Sequence, residues 1–276
     1  RIPMDALRDN GPAFRKAAAS TAVILAIVLT LGALTHSRNA VWTTTISLWA
    51  DIASKSPMKS RVHYNYATSL SAAGKLNEAM EENLKAVSIT PGYGKAHFNI
   101  GAILHAWGRV DEAMEKYRLA LALKPDIAEA RNNLGYAYYS KGMMDEALEQ
   151  YALALRIKPS HAKVYLNTGY VYRDKGMPDE AIREYRKALS IRPDYAAAHS
   201  DIGEALLMKG SPEEAAAEFR AAIGIDPGLV KAHTGLGEAL LALGMKREAA
   251  SEFEAAISLD ARDERAARGL AKARAF

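Results

Sequence analysis

The sequence contains no cysteine among its 276 residues. Disulfide bonds, thiolate metal sites and thiol nucleophiles are therefore excluded. Neither sign of charge dominates, because 36 basic residues and 32 acidic residues are scattered along the chain. This mild excess lacks the dense basic face that nucleic-acid binding requires, so we predict no nucleic-acid partner. Apolar residues make up 49% of the chain, which is enough for a folded core.

Sequence signatures of catalysis are also missing. The chain has no glycine loop followed by a phosphate-binding lysine, no paired-histidine zinc helix and no nucleophile elbow. The stretch GYGKAH, from Gly92 to His97, has two glycines close together, but it falls at a junction between repeating segments, where turn geometry explains it. We therefore predict that this chain alone is not an enzyme and holds no cofactor or metal.

One long uncharged run, from Ala17 to Leu34, lies near the N-terminus. As a helix it would span about 27 Å, close to the thickness of the hydrocarbon core of a bilayer. We predict a transmembrane helix over residues 17–36, preceded by a juxtamembrane segment over residues 1–16. A signal peptide is the alternative, but its apolar core would be shorter.

Basic residues are more numerous before this run than after it. Those before it are Arg1, Arg8, Arg15 and Lys16, whereas Arg38 stands alone in the stretch that follows. Because basic residues are retained on the cytoplasmic side, we predict an inner-membrane or endomembrane protein whose C-terminal bulk is periplasmic or lumenal. The chain begins at Arg1 rather than methionine, which predicts a piece of a longer protein or a processed product.

A period of 34 residues dominates the rest of the sequence. Prolines keep this interval at Pro57, Pro91, Pro125, Pro159, Pro193 and Pro227. Glycines keep it at Gly74, Gly108, Gly142, Gly176, Gly210 and Gly244. Agreement between different residue types over six segments indicates a repeat architecture.

Each recurring residue suits a helical hairpin. The glycine falls between two helical patterns, where a positive φ can end the first helix, and the proline cannot continue the second helix. A second glycine, such as Gly135, faces the alanine of the following helix, and a large ring, such as Tyr151, fills the space between neighbouring hairpins. One hairpin cannot cover its own apolar face, whereas a stack of hairpins can.

The pattern of Leu-Gly, Tyr, Gly, Ala, Phe or Tyr, Ala and Pro at these spacings resembles the tetratricopeptide repeat (TPR). The resemblance covers Ser60 to Asp263 and implies an all-α fold, a right-handed TPR superhelix (α-solenoid) of six helical hairpins. The six repeats are residues 60–93, 94–127, 128–161, 162–195, 196–229 and 230–263. We also predict a half-repeat capping helix over residues 38–59 and a C-terminal capping helix over residues 264–276.

In the first helix of each repeat, the second, sixth, ninth and thirteenth positions lie opposite the packed side. In proteins of the family that this sequence resembles, they line the inner surface of the superhelix, which we call the groove face. The sixth-position residues are Asn65, Asn99, Asn133, Asn167 and Asp201. The other predicted members are Arg61, Lys95, Lys163, Arg173, Tyr136, Tyr139 and Tyr170. We predict that these residues bind an extended peptide or a partner protein.

The row of asparagines has two interpretations. It resembles the ladder of the nucleocytoplasmic O-linked N-acetylglucosamine transferases, in which each carboxamide offers a donor and an acceptor to one peptide unit. Alternatively, each asparagine bonds only to its own backbone. Four hydrogen bonds supply on the order of 4 kcal/mol, whereas micromolar binding needs about 8, so aromatic or charged anchors must supply the rest. We expect replacement of Asn99, Asn133 and Asn167 together by alanine to weaken partner capture without unfolding the protein.

Four histidines occupy the same slot in four repeats, namely His63, His97, His199 and His233. Equivalent residues of neighbouring helices lie at least about 8 Å apart, whereas zinc holds each nitrogen at about 2.1 Å. We therefore predict that these histidines pack at the hairpin interface rather than share a metal.

These features together predict a membrane-tethered TPR scaffold. A narrower alternative comes from the junction Arg38 to Leu70, which resembles the segment before the repeats in multi-pass glycosyltransferases with TPR tails, the transmembrane and TPR-containing O-mannosyltransferase type. The residues that carry this resemblance are Asn39, Trp42, Leu48, Trp49, Ser56, Pro57 and Arg61. It implies the acceptor-recognition region of an enzyme that uses a lipid-linked sugar and whose catalytic part lies outside this chain.

Overall fold

The computed structural model describes residue 20, residues 23–32 and residues 42–275. Residues 23–32 are helical and their side chains are exposed. The predicted juxtamembrane segment over residues 1–16 lies outside the described residues, as do residues 17–19, 21–22 and 33–36 of the predicted membrane helix. Within the described ranges, no helix combines the length and the apolar content that crossing a bilayer requires.

From residue 42 to residue 275 the chain forms α-helices joined by short turns, with no β-strand. The helices are α1 (Thr45–Lys55), α2 (Ser60–Ala72), α3 (Leu76–Ile89), α4 (Gly94–Ala106), α5 (Val110–Leu123), α6 (Ala128–Ser140), α7 (Met144–Ile157), α8 (Ala162–Asp174), α9 (Pro178–Ile191), α10 (Ala196–Met208), α11 (Pro212–Ile225), α12 (Val230–Ala242), α13 (Lys246–Leu259) and α14 (Glu264–Arg274).

The helices from α2 to α13 form six hairpins, one in each 34-residue repeat. Gly142, between α6 and α7, has a φ of 75°, a value that residues with a Cβ rarely adopt. Pro178 stands in the first turn of α9, where its missing N–H has no helical partner to lose. Although Ala261 replaces the recurring proline, α13 ends at Leu259, the position at which Ile225 ends α11.

The structure divides into two compact units, residues 1–99 and residues 100–276. In the first unit, the core includes Leu70, Ala79 and Ala86, all of them fully buried. In that unit the apolar stripe of α1, including Trp49, is half-buried.

The core of the second unit is built around one large ring from each second helix. The rings are Tyr117, Tyr151, Tyr185, Phe219 and Phe253, and none is more than 1% exposed. Each such ring removes on the order of 150–250 Å² of surface from water, so they account for much of the packing between neighbouring hairpins.

Small residues make room for these rings. A Cβ built on Gly135 would lie 2.6 Å from the ring of Tyr151 in the same repeat, closer than real Cβ atoms approach. The sequence pattern predicted that this glycine faces an alanine. The structure agrees, since the same Cβ would lie 3.2 Å from the carbonyl oxygen of Ala147 in the following helix, and it places the ring of Tyr151 closer still.

Candidate functional site

In the first compact unit, the predicted groove residues lie on α2 and α4. Asn65 and Asn99 are half-buried, whereas Arg61 and Lys95 are exposed. The Asn99 carboxamide donates a hydrogen bond of 3.3 Å to the Thr68 hydroxyl, a ninth-position residue of the preceding repeat. Asn99 therefore bonds to a neighbouring helix.

In the second compact unit, the first helices of successive repeats enclose an open cavity of about 530 Å³. This size lies within the range of small-ligand sites, about 300–1,000 Å³. The lining residues are Ala102, His105, Tyr117, Asn132, Asn133, Tyr136, Lys163, Leu166, Asn167, Tyr170, Tyr195 and Ala197. We call this space the repeat 3–4 cavity, since most of its lining comes from α6 and α8.

A chain of carboxamides forms one wall of the repeat 3–4 cavity. The Asn167 amide donates to the Asn132 carbonyl oxygen at 2.9 Å, and the Asn132 amide donates to that of Asn133 at 3.1 Å. The Asn133 amide hydrogen bonds in turn to the Tyr117 hydroxyl, while burial raises the pKa of Tyr117 to about 12. Each amide nitrogen carries two hydrogens, so one hydrogen per carboxamide remains for another acceptor.

Aromatic rings form another part of the lining. Tyr136 is 42% exposed and stands edge-on to His105, with ring centroids 5.5 Å apart. Tyr170 is half-buried, and the Arg173 guanidinium lies 5.3 Å from its ring centroid. Burial, followed by the nearby Asp201 carboxylate, raises the pKa of Tyr170. Tyr170 is therefore a neutral hydroxyl at physiological pH.

Lys163 supplies the positive charge at this cavity. It is exposed, and it makes no ion pair with any residue that the structure describes. The second position two repeats later is Lys231, whose ammonium lies 2.6 Å from Asp201 and 2.8 Å from Glu204. The same position thus carries an available cation in repeat 4 and a neutralised one in repeat 6.

Beyond the repeat 3–4 cavity, an ionic network occupies the corresponding surface of α10 and α12. Glu204 contacts Arg173 at 3.4 Å and Arg265 at 3.3 Å in addition to Lys231. Arg265 also reaches Glu238 at 2.7 Å. Asp201, only 1% exposed, lies beneath this network, and burial raises the pKa of its carboxyl group. The charged side chains of this network pair with one another.

The sixth position is coupled to the buried ring of the preceding repeat. Asn133 bonds to Tyr117, but a Cβ built on Gly235 would lie 2.3 Å from the ring of Phe219. Gly269 stands in the same relation to Phe253. In the sequence a polar residue follows each tyrosine ring at the sixth position and a glycine follows Phe253 and Phe219, but the hydrogen bond is specific to Tyr117 and Asn133: the buried hydroxyls of Tyr151 and Tyr185 have no partner among the described residues.

The structure brings five predicted residues together around the repeat 3–4 cavity: Asn133, Asn167, Lys163, Tyr136 and Tyr170. Three other predicted residues of the second unit are engaged elsewhere. Tyr139 donates to Asp174, Arg173 pairs with Asp174 and Glu204, and Asp201 is buried. Asn167 is also only 4% exposed, so it supports the amide chain more than it offers surface.

Sequence reasoning missed several lining residues. Asn132 stands at a fifth position and Tyr195 at the last position of its repeat, and neither position belongs to the groove face as predicted. Two signals in the sequence point to them: the doubled asparagine at positions 132–133 and a tyrosine immediately before the small residues that open α10.

Three of the recurring histidines pair with a glutamate of the same repeat. Their Nδ1 atoms lie within 2.7 Å of Glu82, Glu218 and Glu252, respectively, for His63, His199 and His233. The Nε2 atom of His63 also faces the Pro57 carbonyl oxygen at 2.9 Å. Among the described residues there is no cluster of three or more potential metal ligands. These three histidines therefore link the first helix of a repeat to its second helix.

Two family models match this chain. The model described as TPR repeat matches residues 103–142, 135–176 and 169–210, and the model described as Tetratricopeptide repeat matches residues 206–273. Together they cover more than half of the chain, so the chain belongs to the tetratricopeptide repeat family. The prediction of this family from the 34-residue period is confirmed. A search of curated proteins found no match.

Solved structures share the fold. The chain is similar to one in the APC/C hetero-tetramer Cut9-Hcn1, with a TM-score of 0.75 and 17% identity over 86% of this chain and 47% of that one. It thus spans about half the length of that relative. It is similar to pilF of Pseudomonas aeruginosa with a TM-score of 0.69 and 18% identity, over 77% of this chain and 97% of that one. It is also similar to YrrB, described as a TPR protein with an unusual peptide-binding site. The TM-score is 0.55 and the identity 23%, over 68% of this chain and 97% of that one. At these identities the likeness shows the all-α TPR solenoid fold alone.

Proposed function

We propose that this chain is a TPR scaffold that binds an extended polypeptide or a partner protein through its groove face, with the repeat 3–4 cavity as the main point of contact. The observation that carries the proposal is the cavity itself, which is open and lined by carboxamides and tyrosines. TPR folds bind peptides or partner proteins, as in the YrrB and Cut9-Hcn1 structures. The right-handed superhelix expected of the family is part of this proposal.

An extended chain suits this lining for a physical reason. Peptide groups offer one donor and one acceptor each, and Asn133, the half-buried member of the amide wall, has a second amide hydrogen for such an acceptor. Hydrogen bonds alone contribute about 0.5–1.5 kcal/mol apiece. The exposed ring of Tyr136 and the charge of Lys163 are the anchors that would bring the affinity into a useful range.

Filling the cavity tests this proposal. Ala197 lines it, and Ala197→Trp should occupy the space that a ligand needs. A phage-displayed library of random 12-residue peptides would be selected on the full chain, and recovered peptides would then be measured against the variant. We expect selected peptides to bind the wild type and to lose at least about tenfold in affinity for A197W, which corresponds to about 1.4 kcal/mol.

The matched control is Ala152→Trp, which places the same side chain on an exposed position of α7, a second helix. This variant should bind as the wild type does. Equal loss in both variants, or no peptide recovered on the wild type, would contradict a peptide-binding cavity. Urea unfolding of each variant separates lost binding from lost folding.

We further propose that residues 17–36 tether the scaffold to a membrane, with the repeats on the periplasmic or lumenal side. The uncharged run and the distribution of basic residues around it support this. Because the chain has no cysteine, Ser251→Cys at an exposed position of α13 gives a single labelling site. A membrane-impermeant maleimide should label it in intact cells or sealed vesicles of the proposed topology. Labelling only after lysis would place the repeats on the other side.

The narrower form of this proposal is that the chain is the acceptor-recognition region of a multi-pass membrane glycosyltransferase. Its support is the sequence resemblance of the junction from Arg38 to Leu70. In that case the full-length parent should transfer sugar from a lipid-linked donor to peptides that this chain binds. A parent that transfers no sugar, or whose activity is unaffected by A197W, would exclude it.

A further inference from the structure

Among the residues that line the repeat 3–4 cavity, Lys163 is charged and none is acidic. Lys163 stands exposed at its lining and pairs with no described residue. Asp201, at the sixth position of repeat 5, is buried, and its Oδ1 lies 2.6 Å from the Lys231 ammonium. Glu129, at the second position of repeat 3, pairs with Lys158 at 3.4 Å. A ligand in the cavity therefore meets an available cation and no available carboxylate among the lining residues.

The rings around the cavity argue against a cationic ligand as well. Arg173 lies 5.3 Å from the ring centroid of Tyr170, and Arg192 lies 3.2 Å from that of Tyr195. Guanidinium groups thus already occupy one face of each of these rings, as cation–π geometry favours. A second cation would find one face of each ring already taken and would be repelled by Lys163, which has no described carboxylate partner. The lining selects for a neutral or anionic ligand.

The apolar part of the cavity fits a planar side chain. Tyr136 offers an exposed ring, and Leu166, Ala102 and Ala197 leave open space beside it. Aromatic pairs prefer offset or edge-on contact with centroids about 4.5–7 Å apart, the range in which Tyr136 already contacts His105. An incoming ring can extend this cluster without displacing the amide wall.

Resting on the proposed function, we propose that the repeat 3–4 cavity binds one aromatic side chain of an extended segment together with a neighbouring carboxylate, which pairs with Lys163. The carboxylate comes either from an aspartate or glutamate beside the aromatic residue or from the end of the peptide chain. Both sources present the same anion to the same ammonium, and peptides with blocked and free C-termini distinguish them.

The library selection on the full chain gives the first measurement. Peptides recovered on the wild type should be enriched in an aromatic residue with an acidic neighbour. Synthetic probes then isolate each part: an acetylated and amidated Gly-Ser 12-mer carrying Phe-Asp, the same peptide carrying Phe-Asn, Ala-Asp or Phe-Lys, and one ending in Phe-Asp with a free carboxylate. We expect Phe-Asp, in at least one of its two forms, to bind about tenfold or more tightly than the other three, since each change removes one contact.

Charge reversal gives the second measurement. Lys163→Glu should weaken binding of the Phe-Asp peptide by about tenfold or more and strengthen binding of the Phe-Lys peptide, because the repulsion is exchanged for attraction. The control is Arg186→Glu, which makes the same change in charge at an exposed position of α9 in the same repeat. It should leave both affinities within about twofold, as expected for screened surface charges.

The outcomes separate the two proposals. Peptides that are recovered and lost in A197W, but show no aromatic–acidic preference and no response to K163E, overturn this inference and leave the proposed function standing. Failure to recover any peptide on the wild type overturns both. Tighter binding of the free-carboxylate probe than of the amidated one identifies the chain end as the source of the anion, and the reverse identifies a side chain.

Discussion

The surface of repeats 3 and 4 and the surface of repeats 5 and 6 are built from equivalent positions but have opposite properties. In the first, carboxamides and tyrosines surround an open cavity with one available lysine. In the second, Glu204 of repeat 5 links Lys231 of repeat 6 to Arg173 of repeat 4 and Arg265 of the C-terminal helix, and this network covers a buried aspartate. The comparison teaches that a repeat position determines where a side chain lies, whereas its neighbours determine whether it is free to bind.

The sixth position shows how this difference arises. In repeats 3 and 6 this position lies against the ring of the preceding repeat. Asn133 hydrogen bonds to the hydroxyl of Tyr117, and Gly235 leaves space for the ring of Phe219. The row of asparagines is thus part of the packing between repeats as well as a lining for a ligand, and neither role excludes the other.

The largest effect should come from removing the cation that neutralises Asp201. Lys231→Met leaves a carboxylate that is 1% exposed without its cation, with the Tyr170 hydroxyl as a remaining hydrogen-bond partner. We expect a loss of about 3 kcal/mol in the free energy of unfolding near neutral pH. The measurement is urea unfolding followed by circular dichroism. Adding Asp201→Asn, the residue found at this position in repeats 1 to 4, should recover most of the loss.

The pH dependence of this variant has a definite sign. Burial raises the pKa of Asp201 above its ordinary value, so the folded state binds this proton more tightly than the unfolded state. The stability that results is present below the unfolded pKa and is lost as the pH rises through the folded pKa. The loss in K231M should therefore be smaller at about pH 4 than at about pH 7. An equal loss at both would contradict a charged Asp201 that lacks its cation.

A smaller effect should follow from giving repeat 6 the residue of the open region. Gly235→Asn places a Cβ 2.3 Å from the buried ring of Phe219, which must shift. We expect destabilisation by about 2 kcal/mol from overpacking. The control is Gly224→Ala, where a Cβ meets nothing within 4 Å and the helix should gain up to about 1 kcal/mol. A lower thermal unfolding temperature for G235N and a higher one for G224A, each relative to the wild type, would support the packing of the sixth position against the ring.

The smallest effect tests the hydroxyls. Tyr117→Phe removes the group that hydrogen bonds with Asn133 and should cost about 1 kcal/mol. Tyr151→Phe removes a buried hydroxyl that has no partner among the described residues, so it should be neutral or stabilising. Equal losses in the two variants would show that the ring environments, rather than the hydrogen bond, set the cost.

The repeats followed from the sequence because their signals are local. Gly142 must adopt a positive φ wherever this hairpin forms, and Pro159 ends a helix whatever surrounds it. Helical spacing likewise identified Tyr136, Tyr170 and Lys163 as residues on one side. These depend on the chain within a few residues, so a single sequence contains them.

The sequence did not show which groove-face side chains pair within the protein, because such pairs join residues about 30 positions apart in the chain. Arg173 was predicted to face a ligand, but Glu204 of the next repeat pairs with it. Asn132 was not predicted, since only the approach of Asn167 from the next helix gives its carboxamide a role. The 34-residue period predicts where each side chain lies. It does not predict whether that side chain binds a neighbouring residue or remains available to a ligand.

The interlock between a buried ring and the first helix that follows it defines what can be exchanged between proteins of this kind. Cutting the chain after each proline would separate Phe219 from Gly235 and could join a bulky polar side chain to a ring that leaves it no room. Cutting at the glycine turn keeps each ring with the sixth-position residue of the next repeat. It separates the ring from the glycine of its own first helix, such as Gly203 for Phe219, but repeats 2 to 6 all carry that glycine, so either side of the cut supplies it. For recombination or design, the module that can be inserted or deleted is therefore a second helix joined to the next first helix, offset by half a period from the repeat as it is usually counted.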